Sequence, residues 1–234
     1  MSKEEQRILV VPQEAIFGRN NEYFFEGFSH AHLLDYESRI LKNLQVMRRG
    51  NPSENPSDHV DGSAEADPRF KQPIGYAIVY NPKEKKVFAY QRSSNKKDHE
   101  EHRMLGNWSW GFGGHVEPRD GSNNPIKDGM IRETTQEEIK IYGNIKEPKV
   151  LGYIYHNYGV NAVHFGILYA IETNATRVEP KDPEISRVET KTLSELKEMS
   201  KLAMFERKNK NPSLKIDAWS MTALEPLDEI LGNN

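Results

Sequence analysis

Apolar residues fall into short runs and helical stripes separated by polar punctuation, and this alternation sets the order of elements. Ile8-Leu9-Val10-Val11 reads as a short strand. Leu33, Ile40, Leu41 and Leu44 recur at roughly helical spacing among charged residues and predict a helix near 32–48. From Arg48 to Pro68 the chain becomes rich in Pro, Ser, Asp, Asn and Gly, the composition of a loop or linker. This stretch divides an N-terminal arm with its polar linker, residues 1–70, from a main domain, residues 71–234. Ile74–Tyr80 and Val87–Tyr90, joined through Asn81-Pro82, predict a hairpin. Lys149–His156 and Ala162–Glu172 are further strands, with Tyr158-Gly159 as the turn between them.

Helical spacing covers three other regions. Asn124 is a cap, Pro125 suits a first helical position, and Gly143 is placed to end a helix running to about Tyr142. Thr192-Leu193-Ser194-Glu195 has the form of a capping box opening a helix to about Leu202. Leu214, Ile216, Trp219 and Leu224 predict a last helix that Pro226 kinks or stops. Strands and helices in this order point to an α/β fold.

Composition narrows the chemistry. The chain has 234 residues, 36% hydrophobic and 29% charged, enough for one sizeable domain with an added arm. No apolar run approaches the roughly 20 residues that cross a bilayer, and Met1-Ser2-Lys3-Glu4-Glu5 lacks an apolar signal stretch. The expected location is therefore the cytoplasm, without a membrane partner. There is no cysteine, so disulfides, thiolate catalysis and Cys-based zinc sites are excluded. A net charge of −3 argues against a basic nucleic-acid surface but not against a small anionic substrate, because a metal ion can supply local positive charge.

The informative segment is Gly113-Gly114-His115-Val116-Glu117, a polar loop, and Arg132-Glu133-Thr134-Thr135-Gln136-Glu137-Glu138. On an α-helix Glu133 and Glu137 lie one turn apart on the same face, Gln136 sits beside them, and Glu138 points away. Two such carboxylates repel by roughly 0.2–0.5 kcal/mol in an isolated helix. A divalent cation reverses that sign, and carboxylate oxygens are the ligands magnesium prefers. Ile126 and Met130 project near the same face, so the acids border the buried side. A solvated run of Glu is the competing reading.

This context resembles the Nudix hydrolase family. Its signature is Gly, five residues, Glu, seven residues, then Arg-Glu-apolar-x-Glu-Glu-x-Gly-apolar. Gly114 matches the opening glycine, Arg132-Glu133 the Arg-Glu pair, and Glu137 the second Glu of the later pair. The resemblance implies a Nudix-type α/β/α sandwich with a mixed sheet. It also implies hydrolysis of a phosphoanhydride bond, dependent on Mg2+ or Mn2+, in a nucleoside diphosphate linked to another group. Metal ligands would be Glu133, Glu137, Gln136 and the Gly114 backbone, with Glu137 activating water and Arg132 orienting its neighbours. Members are often dimers, so a homodimer is one expected assembly.

The departures from the signature are specific. Asp120 stands at the first Glu position, eleven residues precede Arg132, Gln136 replaces a Glu, and Ile139-Lys140 replaces the Gly-apolar ending. The lost carboxylate at 136 makes a nucleotide-binding protein with weak or no catalysis the alternative function. An isoprenoid-diphosphate isomerase, which shares the fold, ranks low because it normally relies on cysteine.

Other residues weigh less. Trp108, Trp110 and Phe112 alternate as on a core strand, although Trp110 is also a stacking candidate for a base. Tyr155 and Arg92 are further candidates for substrate contact. His115 is a candidate for a phosphate or a bound water, and Glu117 for the metal site. His99-Glu100-Glu101-His102 does not have the spacing of the helical zinc motif and reads as a charged loop.

Overall fold

The computed structural model describes residues 3–51, 62–98, 102–121, 123–208 and 212–232. The chain opens with β1 (Arg7–Pro12), α1 (Gln13–Phe17), β2 (Gly27–His30), α2 (Tyr36–Leu41) and β3 (Gln45–Arg48). Then come β4 (Phe70–Asn81), β5 (Lys86–Arg92), β6 (Trp108–Ser109) and α3 (Pro125–Ile131), which runs into a π-helical segment, Arg132–Glu138. β7 (Ile139–Ile141), β8 (Lys149–Tyr155), β9 (His164–Glu172), β10 (Val178–Pro180) and β11 (Ile185–Thr192) follow. The last described elements are α4 (Leu193–Glu206), α5 (Ala218–Thr222) and α6 (Leu224–Gly232).

Internal contacts divide the chain into two compact units. The first comprises Met1–Tyr76, Gly113–Glu133 and Val150–Leu168; the second comprises Ala77–Phe112, Thr134–Lys149 and Tyr169–Asn234.

In the first unit β1 pairs antiparallel with β3, Ile8 opposite Met47, and with the start of β4, Val11 opposite Lys71. Alternation on β1 sends Ile8 and Val10 to one face, where they pack with Ala64, Met47 and Phe70. A second core is aromatic. Phe17, Phe25, Tyr36, Tyr153, Tyr155 and Phe165 meet with ring centroids 4.9–6.5 Å apart, within the range where tilted and edge-on rings attract. Lys71 lies beside this core, fully buried, its Nζ donating to the carbonyls of Pro68 (2.6 Å) and Ala162 (2.7 Å).

In the second unit β5 pairs antiparallel with β11, with β6 and with the end of β4. The hairpin closes at Asn81-Pro82 as the sequence predicts, with the Asn81 side chain accepting from the Glu84 amide at 3.1 Å. Tyr90 stacks on Phe112 at 4.9 Å. The Thr192–Glu195 capping box is formed and opens α4, which packs on β11 and α6. In the first unit Asn124 caps α3 by accepting from the Lys127 amide at 3.0 Å.

Three expectations are revised. The helix near 32–48 is only α2; the chain then enters β3, because Gln45–Arg48 finds backbone partners along β1. The helix from Pro125 ends at Glu138 rather than near Gly143. Its last carbonyls are satisfied from Lys181, whose amide donates to the Glu138 oxygen (2.8 Å) and whose Nζ donates to that of Gln136. Ile139 and Ile141 then suit β7, paired with β10. The last helix is broken at Ala223 into α5 and α6, and the N–H that Pro226 lacks is the one that would have continued α5 by donating to Thr222. Pro226 sits in the first turn of α6, where no N–H is needed from it. Of the polar linker, residues 52–61 lie outside the described residues, while Ser63–Asp67 are all buried.

Burial pulls the Lys71 amine down to about 8, against the partial counter-effect of Asp67. The folded chain therefore binds fewer protons here than the unfolded chain between about pH 8 and the usual lysine value of 10.5. The contribution of this group is fully present above pH 10.5 and is lost as pH falls through 8. Urea midpoints of the wild type relative to Lys71→Met are expected to rise from pH 8 to pH 10.5. A pH-independent difference would refute the burial cost.

Candidate active site

The loop Gly113–Asp120 and the segment beginning at Arg132 meet in the first unit. Gly113 has φ of +136°, and a Cβ on it would lie 1.9 Å from the Gly75 carbonyl oxygen. Only glycine meets both demands. A Cβ on Gly114 would stand 2.6 Å from Oε2 of Glu133. The bare backbone thus lets the Glu133 carboxylate come up against the double-glycine bend.

Arg132 organises the acids. Its Nε donates to Asp120 Oδ1 (2.7 Å) and one terminal nitrogen donates to Oδ2 (2.9 Å), a two-pronged pair. The other terminal nitrogen donates to Glu133 Oε1 at 2.7 Å, and the His115 carbonyl accepts at 3.0 Å. Arg132 and Asp120 are both buried, at 8% exposure each. Asp120 Oδ2 also accepts from the Glu117 amide (2.7 Å), closing the turn Glu117–Asp120. Glu117 itself faces Gln6, Arg119 and, at 3.7 Å, Arg132. The planar guanidinium fork suits this arrangement, since it offers five donors in fixed directions.

The His115 side chain takes part in a second cluster. Its Nε2 is 3.4 Å from Nε2 of His164, and both rings converge with Glu65, each residue offering a ligating atom within 4.8 Å of the others.

The sequence-predicted residues distribute unevenly. Arg132, Glu133 and Gly114 come together in the first unit as just described. The segment from Arg132 has i→i+5 rather than α-helical spacing, which rotates Glu138 inward; Glu138 is buried, whereas Gln136 and Glu137 are exposed. Trp110 is fully buried in the second unit, its backbone N–H donating to Ser220 Oγ at 3.0 Å. Tyr155 is buried in the aromatic core, donating to Asn157 at 3.0 Å, and burial pushes its hydroxyl up to about 12. Arg92 reaches the Tyr90 hydroxyl and Glu184. Burial opposes its charge, but Tyr90, Glu138, Glu184 and Asp217 outweigh that and raise it. Of His99–His102, residues 99–101 lie outside the described residues; His102 begins a short turn.

The chain is 32% identical over 205 residues to the protein YmaB of Bacillus subtilis (strain 168), covering 85% of this chain and 91% of that protein. It superposes on the crystal structure of Tm1382, described as a candidate Nudix hydrolase, with TM-score 0.66 and 24% identity over 96% of this chain and all of that one. The chain belongs to the YmaB family and has the Nudix fold. No protein-family model matches it. The α/β fold with a mixed sheet expected of a Nudix protein is therefore present. No described helix is long and apolar enough to cross a membrane.

Two residues of the second cluster, Glu65 and His164, escape sequence reasoning. Glu65 stands between two alanines inside a polar stretch, and only that pairing of small apolar neighbours hints at burial. His164 opens an apolar strand, where a lone polar residue is the one visible signal.

Replacing Arg132 by Met strands the buried Asp120 carboxylate, a loss expected at roughly 3–5 kcal/mol. Arg132→Lys retains the charge but not the fork and is expected to fall between. Chemical unfolding measures both, and a wild-type midpoint for Arg132→Met would show that the pair contributes nothing.

Proposed function

We propose that this chain is a divalent-metal-dependent hydrolase cleaving a phosphoanhydride bond in a nucleoside diphosphate linked to another group. The observation that carries the reading is the placement of Glu133, oriented by Arg132 and lying against the side-chain-free backbone of Gly114. Arg132 holds the Glu133 carboxylate through Oε1, and Oε2 lies against the Gly114 backbone; carboxylate and carbonyl oxygens are the ligands Mg2+ or Mn2+ takes. Glu133 and the Gly114 carbonyl are the residues of the first unit that would hold the ion; Gln136 and Glu137, the further ligands that the resemblance implies, lie exposed in the second unit. When bound, it neutralises charge on the phosphate oxygens.

The chain's own residues supply the rest. Arg132 holds and aims Glu133. Glu137, exposed to solvent, orients a water and accepts its proton. Gln136 stands exposed where the Nudix signature has a Glu, and this favours a second reading, nucleotide binding with little turnover.

Phosphate release from a panel of nucleoside diphosphate derivatives distinguishes the two. Turnover is expected with magnesium and none in excess EDTA. Glu137→Gln is expected to lose roughly 10²–10⁴-fold in kcat while melting like the wild type. Unchanged kcat in that variant would remove Glu137 from the mechanism. Tight nucleotide binding without turnover in the wild type would establish the second reading.

A further inference from the structure

Glu65, His115 and His164 come from three separate stretches of the first unit and converge to within 4.8 Å of one another. Two nitrogens bound tetrahedrally to zinc at roughly 2.0–2.1 Å stand about 3.3 Å apart. The observed Nε2–Nε2 separation is 3.4 Å.

The surrounding contacts prepare the ligands. His164 Nδ1 lies 2.6 Å from the Val160 carbonyl oxygen, which requires the proton on Nδ1 and leaves Nε2 to present its lone pair. Metal-bound histidines are held in this way by an outer carbonyl. Glu65 is 2% exposed. Its Oε1 accepts from Arg49 Nε at 3.3 Å, while Oε2 has no hydrogen-bond partner among the described residues. A buried carboxylate oxygen left so is unfavourable unless a cation meets it.

We propose that Glu65, His115 and His164 form a zinc-class cation site, separate from the magnesium ligands assigned to Glu133 and its neighbours. Two imidazoles and one carboxylate select a late first-row divalent ion over magnesium. Three protein ligands leave a fourth position for water or an anion, the arrangement of an exchangeable rather than a closed site. Because the ligands lie far apart in sequence, the ion also ties residues 65, 115 and 164 together and stabilises the fold by mass action. The competing account is a neutral hydrogen bond between the two imidazoles with no cation. The site does not depend on the chain being a pyrophosphohydrolase.

The test uses the full chain, stripped with chelator and titrated with Zn2+ or Co2+ in excess Mg2+. One equivalent is expected to bind, to raise the melting temperature, and in the Co2+ form to give the visible absorption of a low-coordinate site. His164→Gln and Glu65→Gln are each expected to abolish uptake, whereas Glu133→Gln retains it. Circular dichroism confirms which variants fold, and His164→Gln decides alone if Glu65→Gln does not. Absence of stoichiometric uptake by the wild type overturns the proposal. So does uptake that persists in folded His164→Gln, or that disappears in Glu133→Gln.

Discussion

Arg132, buried among acids, sets the geometry on which the rest of the candidate site depends. A guanidinium taken out of water must have its donors met, and here Asp120, Glu133 and the His115 carbonyl accept from it. Each partner sits on a different part of the loop or helix, so satisfying the arginine also fixes the bend from Gly113 to Asp120. Asp120 is shared further, accepting from the Glu117 amide, so the loop's own turn is held by the same carboxylate. A lysine has the charge but not the planar fork, and could not bind these partners in these directions at once.

His115 joins two kinds of chemistry. Its carbonyl belongs to the acidic, oxygen-rich group around Arg132, and its imidazole belongs to the nitrogen-rich group with His164 and Glu65. Oxygen ligands of the first kind suit a hard cation, and nitrogen ligands of the second kind a borderline one. A displacement of residue 115 would be felt by both, since backbone and ring move together. Gly113 makes the placement of 115 stiff, because its backbone lies too close to Gly75 to tolerate any side chain.

The departures from the Nudix signature have partial physical explanations. Asp120, shorter than the expected Glu, is buried and gives both oxygens to Arg132, which suits it to holding the loop. The i→i+5 spacing from Arg132 to Glu138 alters which acids share a face, bringing Glu138 into the interior while Gln136 and Glu137 remain outside. Glu138 then joins the charges that surround Arg92.

Much of this was readable in the order of residues. Short continuous apolar runs such as Ile8–Val11 and Ile74–Tyr80, rich in β-branched and aromatic residues, commit to strands that are buried on both faces. Asn124-Pro125 and Thr192–Glu195 commit to helix starts because they satisfy local donors without help from elsewhere. Gly113-Gly114 and Arg132-Glu133 carried the family resemblance for the same local reason. What the tertiary structure alone decided was where non-local partners were found. Ile139–Ile141 left the helix because β10 and Lys181 offered backbone partners that no local pattern reveals. Residues 63–67 went inside despite their polar surroundings, and Glu65 met His115 and His164 across separations of 50 and 99 residues. Local hydrogen bonds and periodicity are written in neighbouring residues, whereas burial and convergence depend on which distant surfaces come to share a core.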